Sequence, residues 1–309
     1  MEFGKVHDLS QINEINWSLP PEDPLTSRVL KNMSSKSTSL WIGAPAWNHK
    51  EWLGRIYPQK TKPQDYLKYY SRYFNTIELN TTHYRIPTSD QTIKWLEKVE
   101  GHFLFCPKIF QGISHERSGL TDREMLHMWF QFIENLGNHA GPSFLQLPPH
   151  FDYSHKALLF KFLLLWPPHL RLALEFRHPS WFQNGVVLPA LVEYLQTRKI
   201  GLVMTDVAGR RDVLHSSISA PFTMIRFIGN ELHPSDMIRA KLWNDRLENW
   251  SNRGLQEVFF FTHEPDDILV PDLVEKLKTF SFFSENYPLS GDTTRSLDLS
   301  HPGETLKLL

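Results

Sequence analysis

The residues best equipped for chemistry are charged side chains that close apolar runs. In Leu172-Ala173-Leu174-Glu175-Phe176-Arg177, alternation puts Leu172, Leu174 and Phe176 on one face and Ala173, Glu175 and Arg177 on the other. The run stops at His178-Pro179, because proline cannot donate to a strand ladder. The same parity sets Glu78 and Asn80 against Ile77 and Leu79, and Gln146 against Leu145 and Leu147. Lys108 ends a third run, Asp206 a fourth, Arg226 sits inside a fifth, and Thr262-His263-Glu264 ends the last. Buried without partners, each charge would cost several kcal/mol, so they must neutralise one another or a ligand. Glu78 and Glu175 against Lys108, Arg177 and Arg226 leave a positive surplus, which a phosphate or carboxylate would complete. Asp206, if it points the same way, cancels that surplus.

Several chemistries fit this set. Glu78 or Glu175 could act as a general base while the arginines hold an anionic substrate. Opposite charges lower a carboxylate's pKa and burial raises it, so the two influences oppose. Lys108 could form an imine, or could simply pair with Glu78 or Glu175. A metal-dependent hydrolase or isomerase would recruit His115, His178, His263, Glu175, Asp206 or Glu264, but no HxH or HExxH spacing occurs and arginines beside the carboxylates repel a cation. His115-Glu116 is a further acid/base pair in a loop. The non-enzymatic alternative is a ligand- or nucleic-acid-binding module. Nucleic acid is disfavoured, because the cations lie at strand ends rather than along a stripe.

The elements that must position these groups follow from periodicity. Strands are expected at about 40–44, 75–80, 103–108, 143–147, 171–177, 201–206, 222–228 and 257–262, separated by amphipathic helical patterns. Thr88-Ser89-Asp90-Gln91 and Thr121-Asp122-Arg123-Glu124 read as capping boxes, and Ser235-Asp236 and Pro271-Asp272 as further helix starts. Helix-to-strand connections are short, whereas the loops after strands are long and rich in Trp, His and Tyr. That asymmetry predicts a (β/α)₈ TIM barrel with its site at the carboxyl-terminal face. Trp47, Trp52 and Trp181 are candidates to wall a pocket, while Tyr66, Tyr70 and Phe74 have the helical spacing of packing residues. No GxGxxG or P-loop follows any strand, and no obligatory cofactor is expected.

Composition sets the outer bounds. The chain has 309 residues, 41% hydrophobic and 22% charged, with a formal net charge of -1, so nothing in bulk attracts it to nucleic acid or an anionic membrane. The single cysteine, Cys106, excludes an internal disulfide and reads as inert core, in keeping with a cytoplasmic setting. No apolar run is long enough for a membrane span. Residues 1–38 and 284–309 are polar and read as extensions flanking one domain at 39–283, the first either preceding the domain or partly draped on it.

The motifs Trp41-Ile42-Gly43, Tyr57-Pro58, Phe74 to Tyr84, Phe103 to Lys108 with Ile113-Ser114-His115-Glu116, Leu145-Gln146-Leu147-Pro148-Pro149, Glu175 to Trp181 and Ile225-Arg226-Phe227-Ile228-Gly229 occur in order and at matching spacing. Together they resemble the YecE-like family, domain of unknown function 72, over roughly residues 40–280. The resemblance implies a TIM barrel and a signature set of Glu78, Asn80, Tyr84, Lys108, His115, Glu116, Gln146, Glu175, Arg177, His178 and Arg226. It implies no reaction. Thr262-His263-Glu264-Pro265-Asp266 is similar to the bacterial YecE subgroup.

Overall fold

The computed structural model describes residues 4, 6, 9–30, 38–116 and 118–287. Among them, eight parallel strands follow one another along the chain: β1 (Ser39–Gly43), β2 (Thr76–Leu79), β3 (Leu104–Pro107), β4 (Ser143–Gln146), β5 (Leu172–Glu175), β6 (Gly201–Asp206), β7 (Phe222–Ile228) and β8 (Glu257–His263). Six form one ladder in the order β1-β8-β7-β6-β5-β4, and β2 pairs with β3. The register sets Gln146 beside Glu175, and Arg226 beside both Thr205 and Phe261.

At the two seams, side chains and single bridges take over from the ladder. Between β3 and β4, isolated bridges join Phe105 to Ala140 and Lys108 to Phe144. Between β1 and β2, the Asn75 amide mimics a strand, accepting from Ile42 N at 2.7 Å and donating to Leu40 O at 2.9 Å. The close approach here needs glycine, since a Cβ on Gly43 would stand 2.3 Å from Thr76 O. The expected barrel is therefore met as an α/β fold with a central parallel sheet whose ladder is interrupted twice.

Strand parity agrees with the expected pattern. Cys106, Phe144, Ala173, Val203, Met224, Phe259 and Phe261 pack together inside the sheet. Ile42, Ile77, Leu145, Leu174, Ile225 and Phe260 face outward against the helices. Cys106 is fully buried, and burial pushes its thiol up to about 12, which leaves it inert. At the amino-terminal end, Arg171 pairs with Glu257 at 2.7 Å and lies over the rings of Phe222 and Phe259.

The helices following the strands are α2 (Tyr66–Tyr73), α3 (Ser89–Leu96), α4 (Gln111–Ser114), α5 (Arg123–Leu136), α6 (Lys156–Leu165), α7 (Pro189–Arg198), α8 (Pro234–Asn252), α9 (Val270–Leu277) and α10 (Ser281–Asn286). Thr88 caps α3 as expected. The α5 cap is Asp122 rather than Thr121, because its carboxylate reaches the N–H groups of both Glu124 and Met125. His233 rather than Ser235 caps α8, with Pro234 in the first turn. No described helix is long and apolar enough to cross a membrane.

No α-helix follows β6. The gap is filled from the other end of the chain, by α1 (Thr26–Leu30) and the segment before it. Glu22 accepts from Trp250 and Arg253 of the α8 side, while Leu25 O accepts from Gln196 of α7. Ser216 O accepts from Asp23 N, and Thr26 Oγ1 from Ile218 N. Ile12, Thr26 and Leu30 are fully buried. Residues 9–30 are thus packed structure, not a polar extension. The expected boundary at 283 likewise falls inside α10, where Phe282 and Phe283 are buried; residues 288–309 of the expected tail lie outside the described residues.

Candidate functional site

Inward parity on β2, β5 and β7 brings Glu78, Glu175 and Arg226 together with Arg177 just past β5, all nine-tenths or more buried. Arg226 forks onto Glu78, with Nε to Oε2 and Nη2 to Oε1 both 2.8 Å, and its Nη1 donates to Glu175 Oε2 at 3.2 Å. Arg177 Nε donates to Glu175 Oε1, Gln146 Nε2 to Glu175 Oε2 and Asn80 Nδ2 to Glu78 Oε1, each at 2.8 Å. His263 Nε2 lies 3.0 Å from Glu78 Oε2. Burial alone would raise both carboxyls. The opposing partners win: Arg226 and the His263 ring hold Glu78 well below the usual carboxylate range, and Arg177 and Arg226 bring Glu175 to about 2.

Lys108 stands apart from this network. Its backbone is fixed, N to Leu79 O at 3.2 Å and O accepting from Thr82 Oγ1 at 2.7 Å. Its ammonium forms no ion pair among the described residues, so the expected pairing with Glu78 or Glu175 is not made. Burial, with Arg226 and Arg177 nearby, pushes this lysine down to about 8, against the pull of Glu175 and Glu78.

Lys108 opens onto a cavity of about 650 Å³ at the carboxyl-terminal end of the strands. Asn80, His83 and Tyr84 line one side, His263, Glu264 and Asp267 another, and Gly4 and Val6 of the amino-terminal segment a third. Asn80, Tyr84 and Lys108 of the expected site therefore meet the cavity directly, while Glu78, Gln146, Glu175, Arg177 and Arg226 form the charged network. His178 serves a local turn, accepting from Ser180 N at 3.2 Å through Nδ1. His115 contacts the ring of His83 and bonds Ser114 Oγ at 2.7 Å. Burial of its ring, with His83, Lys108 and Arg177 close by, pushes it down to about 4, so it is neutral; Glu116 is exposed.

Three expectations are corrected here. Asp206 points outward, where Arg211, Arg239 and the Trp243 indole (2.7 Å) take its carboxylate, so the positive surplus inside stands. Trp52 and Trp181 are fully buried in the core and wall no pocket. His83, His263, Glu264 and Asp267 complete the cavity although none was ranked among the site residues. For His263 the signal was available, since it shares parity with Phe259 and Phe261.

Glu264 is buried and forms no ion pair; burial, then the neighbouring Asp236, pushes it up to about 8. Among the described residues no three His, Cys, Asp or Glu side chains gather closely enough to hold a metal ion.

A family model described as "Protein of unknown function DUF72" matches residues 41–281. The chain is 27% identical over 256 residues to UPF0759 protein YecE of Escherichia coli (strain K12), spanning 77% of this chain and 91% of that one. It is 30% identical over 153 residues to UPF0759 protein YunF of Bacillus subtilis (strain 168), 46% of this chain and 52% of that one. The crystal structure of a DUF72 family protein from Enterococcus faecalis V583 superposes with a TM-score of 0.61 at 16% identity, over 80% of this chain and 98% of that one. A second, from Thermotoga maritima MSB8, gives 0.60 at 23% identity, over 76% and 96%. These two likenesses concern the fold. With a family model spanning most of its length, the chain belongs to the DUF72 family of proteins of unknown function.

Proposed function

We propose that the eight strands act as a closed (β/α)₈ barrel, and that its mouth binds a small anion, a phosphate or a carboxylate, at Lys108. The observation carrying this reading is an ammonium that forms no ion pair among the described residues. Two buried carboxylates stand in the same network, yet both are taken by arginines and Lys108 is left facing the cavity. A half-buried cation without a counter-ion is an incomplete arrangement that an anionic ligand completes. Asn80, Tyr84 and His83 flank the bound group; Arg177, His115, His178 and Gln146 support the rim and floor.

Within this reading Lys108 is also the group suited to move a proton. A lysine lowered to about 8 exchanges its proton near neutral pH, as a general acid or base must. Glu78 and Glu175, with their oxygens occupied and their pKa values held low, serve as the fixed counter-charges that orient Arg226 and Arg177. Acid/base chemistry on the bound anion follows, with no cofactor invoked.

The test is melting temperature across a panel of phosphates, phosphosugars, carboxylates and nucleotides, because a ligand that prefers the folded state raises it by mass action. An anion that stabilises the wild type and not Lys108→Met supports the reading. Shifts unchanged in Lys108→Met, or none with any anion, overturn it. A steep loss of oligonucleotide binding with salt would instead favour a nucleic-acid module.

A further inference from the structure

The cavity's walls differ in sign. Lys108 stands on one, while Glu264 and Asp267 line another, and neither of these two carboxyls forms an ion pair among the described residues. Glu264 is 4% exposed, and its Oε1 has no hydrogen-bond partner. Burial raises Asp267 as well as Glu264, and outweighs the pull of His263 and His49 on the first and of Arg239 on the second.

The loop after β7 explains why this wall is acidic. Its backbone N–H groups point at carboxylates, Asn230 N to Asp236 Oδ2 at 3.0 Å and Glu231 N to Glu264 Oε2 at 2.9 Å. Loops after the seventh and eighth strands of such folds often cradle a phosphate with amides of this kind. Here the chain's own Glu264 occupies the cradle. The loop accepts backbone strain to hold that geometry, since Glu231 and Leu232 are consecutive non-glycine residues with φ of 59° and 57°. Gly229 is needed beneath it, because a Cβ there would come 2.4 Å from Glu264 Oε1. A ligand phosphate or carboxylate is thus kept off this wall by occupancy and is directed to Lys108.

We propose that the ligand is dipolar, with its anionic group on Lys108 and an ammonium group at Asp267, backed by Glu264. This rests on the anion-binding reading above and adds the chemistry of the ligand's other end. Asp267 is half-buried at the cavity wall, where its Oδ1 accepts from Glu264 N at 3.3 Å, so a ligand ammonium meets a fixed carboxylate with a second carboxyl behind it. Charges of opposite sign at the two ends leave no net charge buried in the complex.

Matched probes test this directly: glucosamine 6-phosphate against glucose 6-phosphate, and O-phosphoethanolamine against ethyl phosphate, each titrated into the full chain by calorimetry. The amino member of each pair is expected to bind about tenfold more tightly. That advantage disappears in Asp267→Asn and shrinks in Glu264→Gln, while both variants keep the wild-type affinity for the amine-free member. Glu264→Gln retains an oxygen for Glu231 N, and the melting temperatures of the ligand-free variants check that the loop is intact. Equal affinity within every pair, or an advantage that survives Asp267→Asn, overturns the inference and leaves the anion reading standing. If no member of any pair binds, the anion reading itself has failed and this inference falls with it.

Discussion

Two networks in this molecule are built from the same parts. Inside the sheet, Glu78 and Glu175 face Arg226 and Arg177; outside it, Asp206 and Asp236 face Arg239 and Arg211. In both, burial is overcome by arginine, so Asp206 as well as Glu175 is held below the usual carboxylate range. The outer network is closed over. Arg239 donates to the carbonyls of Asp206 and Ile228, lies 4.2 Å from the Phe227 ring, and is covered with Arg211 by Trp17. Its charges balance and no cavity charge is left over. The inner network has a third cation, Lys108, that it does not pair, and that cation meets a cavity. Buried ions alone therefore do not mark a site; an unmatched one facing open space does.

The largest effect should come from the hinge of the inner network. Arg226→Met takes the forked guanidinium from Glu78, leaves Glu175 to Arg177 and Gln146, and should cost about 3–5 kcal/mol of folding stability. The pH dependence changes sign as well. In the wild type, Glu175 at about 2 stabilises the fold above its unfolded value of roughly 4, and that contribution is lost as pH falls through about 2. In Arg226→Met burial of Glu78 is no longer offset by a guanidinium, so that carboxyl titrates above the unfolded value and its contribution is lost as pH rises from about 4, while Arg177 keeps Glu175 low. Urea denaturation from about pH 2 to about pH 8 spans both limits and reads this out. A cost below about 1 kcal/mol would mean that the network is not what holds these strands.

Removing the outer carboxylate probes the other half of the comparison. Asp206→Asn leaves Arg239 and Arg211 with Asp236 alone and should cost a similar amount, about 3 kcal/mol. Anion binding at the mouth should be unaffected, because none of these groups touches the inner network. A variant that folds but loses ligand-induced stabilisation would show that the two networks are coupled, and the contrast drawn between them would collapse.

Lys108 should behave in the opposite way to either. Its folded pKa of about 8 lies below the unfolded value, so the folded state takes up the proton less readily than the unfolded chain. Its contribution is complete above the unfolded value of roughly 10.4 and is lost as pH falls through about 8. Lys108→Met removes that penalty and should stabilise the protein by on the order of 2 kcal/mol at pH 7, a difference that vanishes near pH 10. Anion binding should be lost at the same time. A Lys108→Met protein less stable than the wild type at neutral pH would mean that the ammonium is satisfied in the fold and that the surplus is not real.

Much of this was legible along the chain, because alternation is a local property. Parity alone turned Glu78, Lys108, Gln146, Glu175, Arg177 and Arg226 inward and set the strand ends within a residue or two. The amino-terminal segment was not legible. Ile12, Trp17, Asp23, Thr26 and Leu30 are buried, yet they follow no helical or strand period, and their partners at 193–253 are far along the sequence. Nor could sequence say which cation is left over. Three of them compete for two glutamates, and the outcome turns on the two-pronged fit of a guanidinium, which Lys108 lacks.

The smallest effects should come from the aromatic residue standing over each network. Trp17 is 9% exposed and its ring lies 4.9 Å from Arg239 and 5.3 Å from Arg211, whereas Tyr84 is 70% exposed at the cavity mouth, its ring edge on His83. One is a lid already closed on its cations; the other has little yet to touch. Trp17→Ala should therefore cost about 2 kcal/mol of stability, from lost burial and cation–π contact, with no change in anion affinity. Tyr84→Ala should change stability by less than about 0.5 kcal/mol and weaken ligand binding by a few fold, roughly the worth of one aromatic contact. Melting curves of both variants with and without the best anion make the comparison in one experiment. If Tyr84→Ala destabilises the ligand-free protein as much as Trp17→Ala does, the tyrosine is packing, and the inner network is covered much as the outer one is.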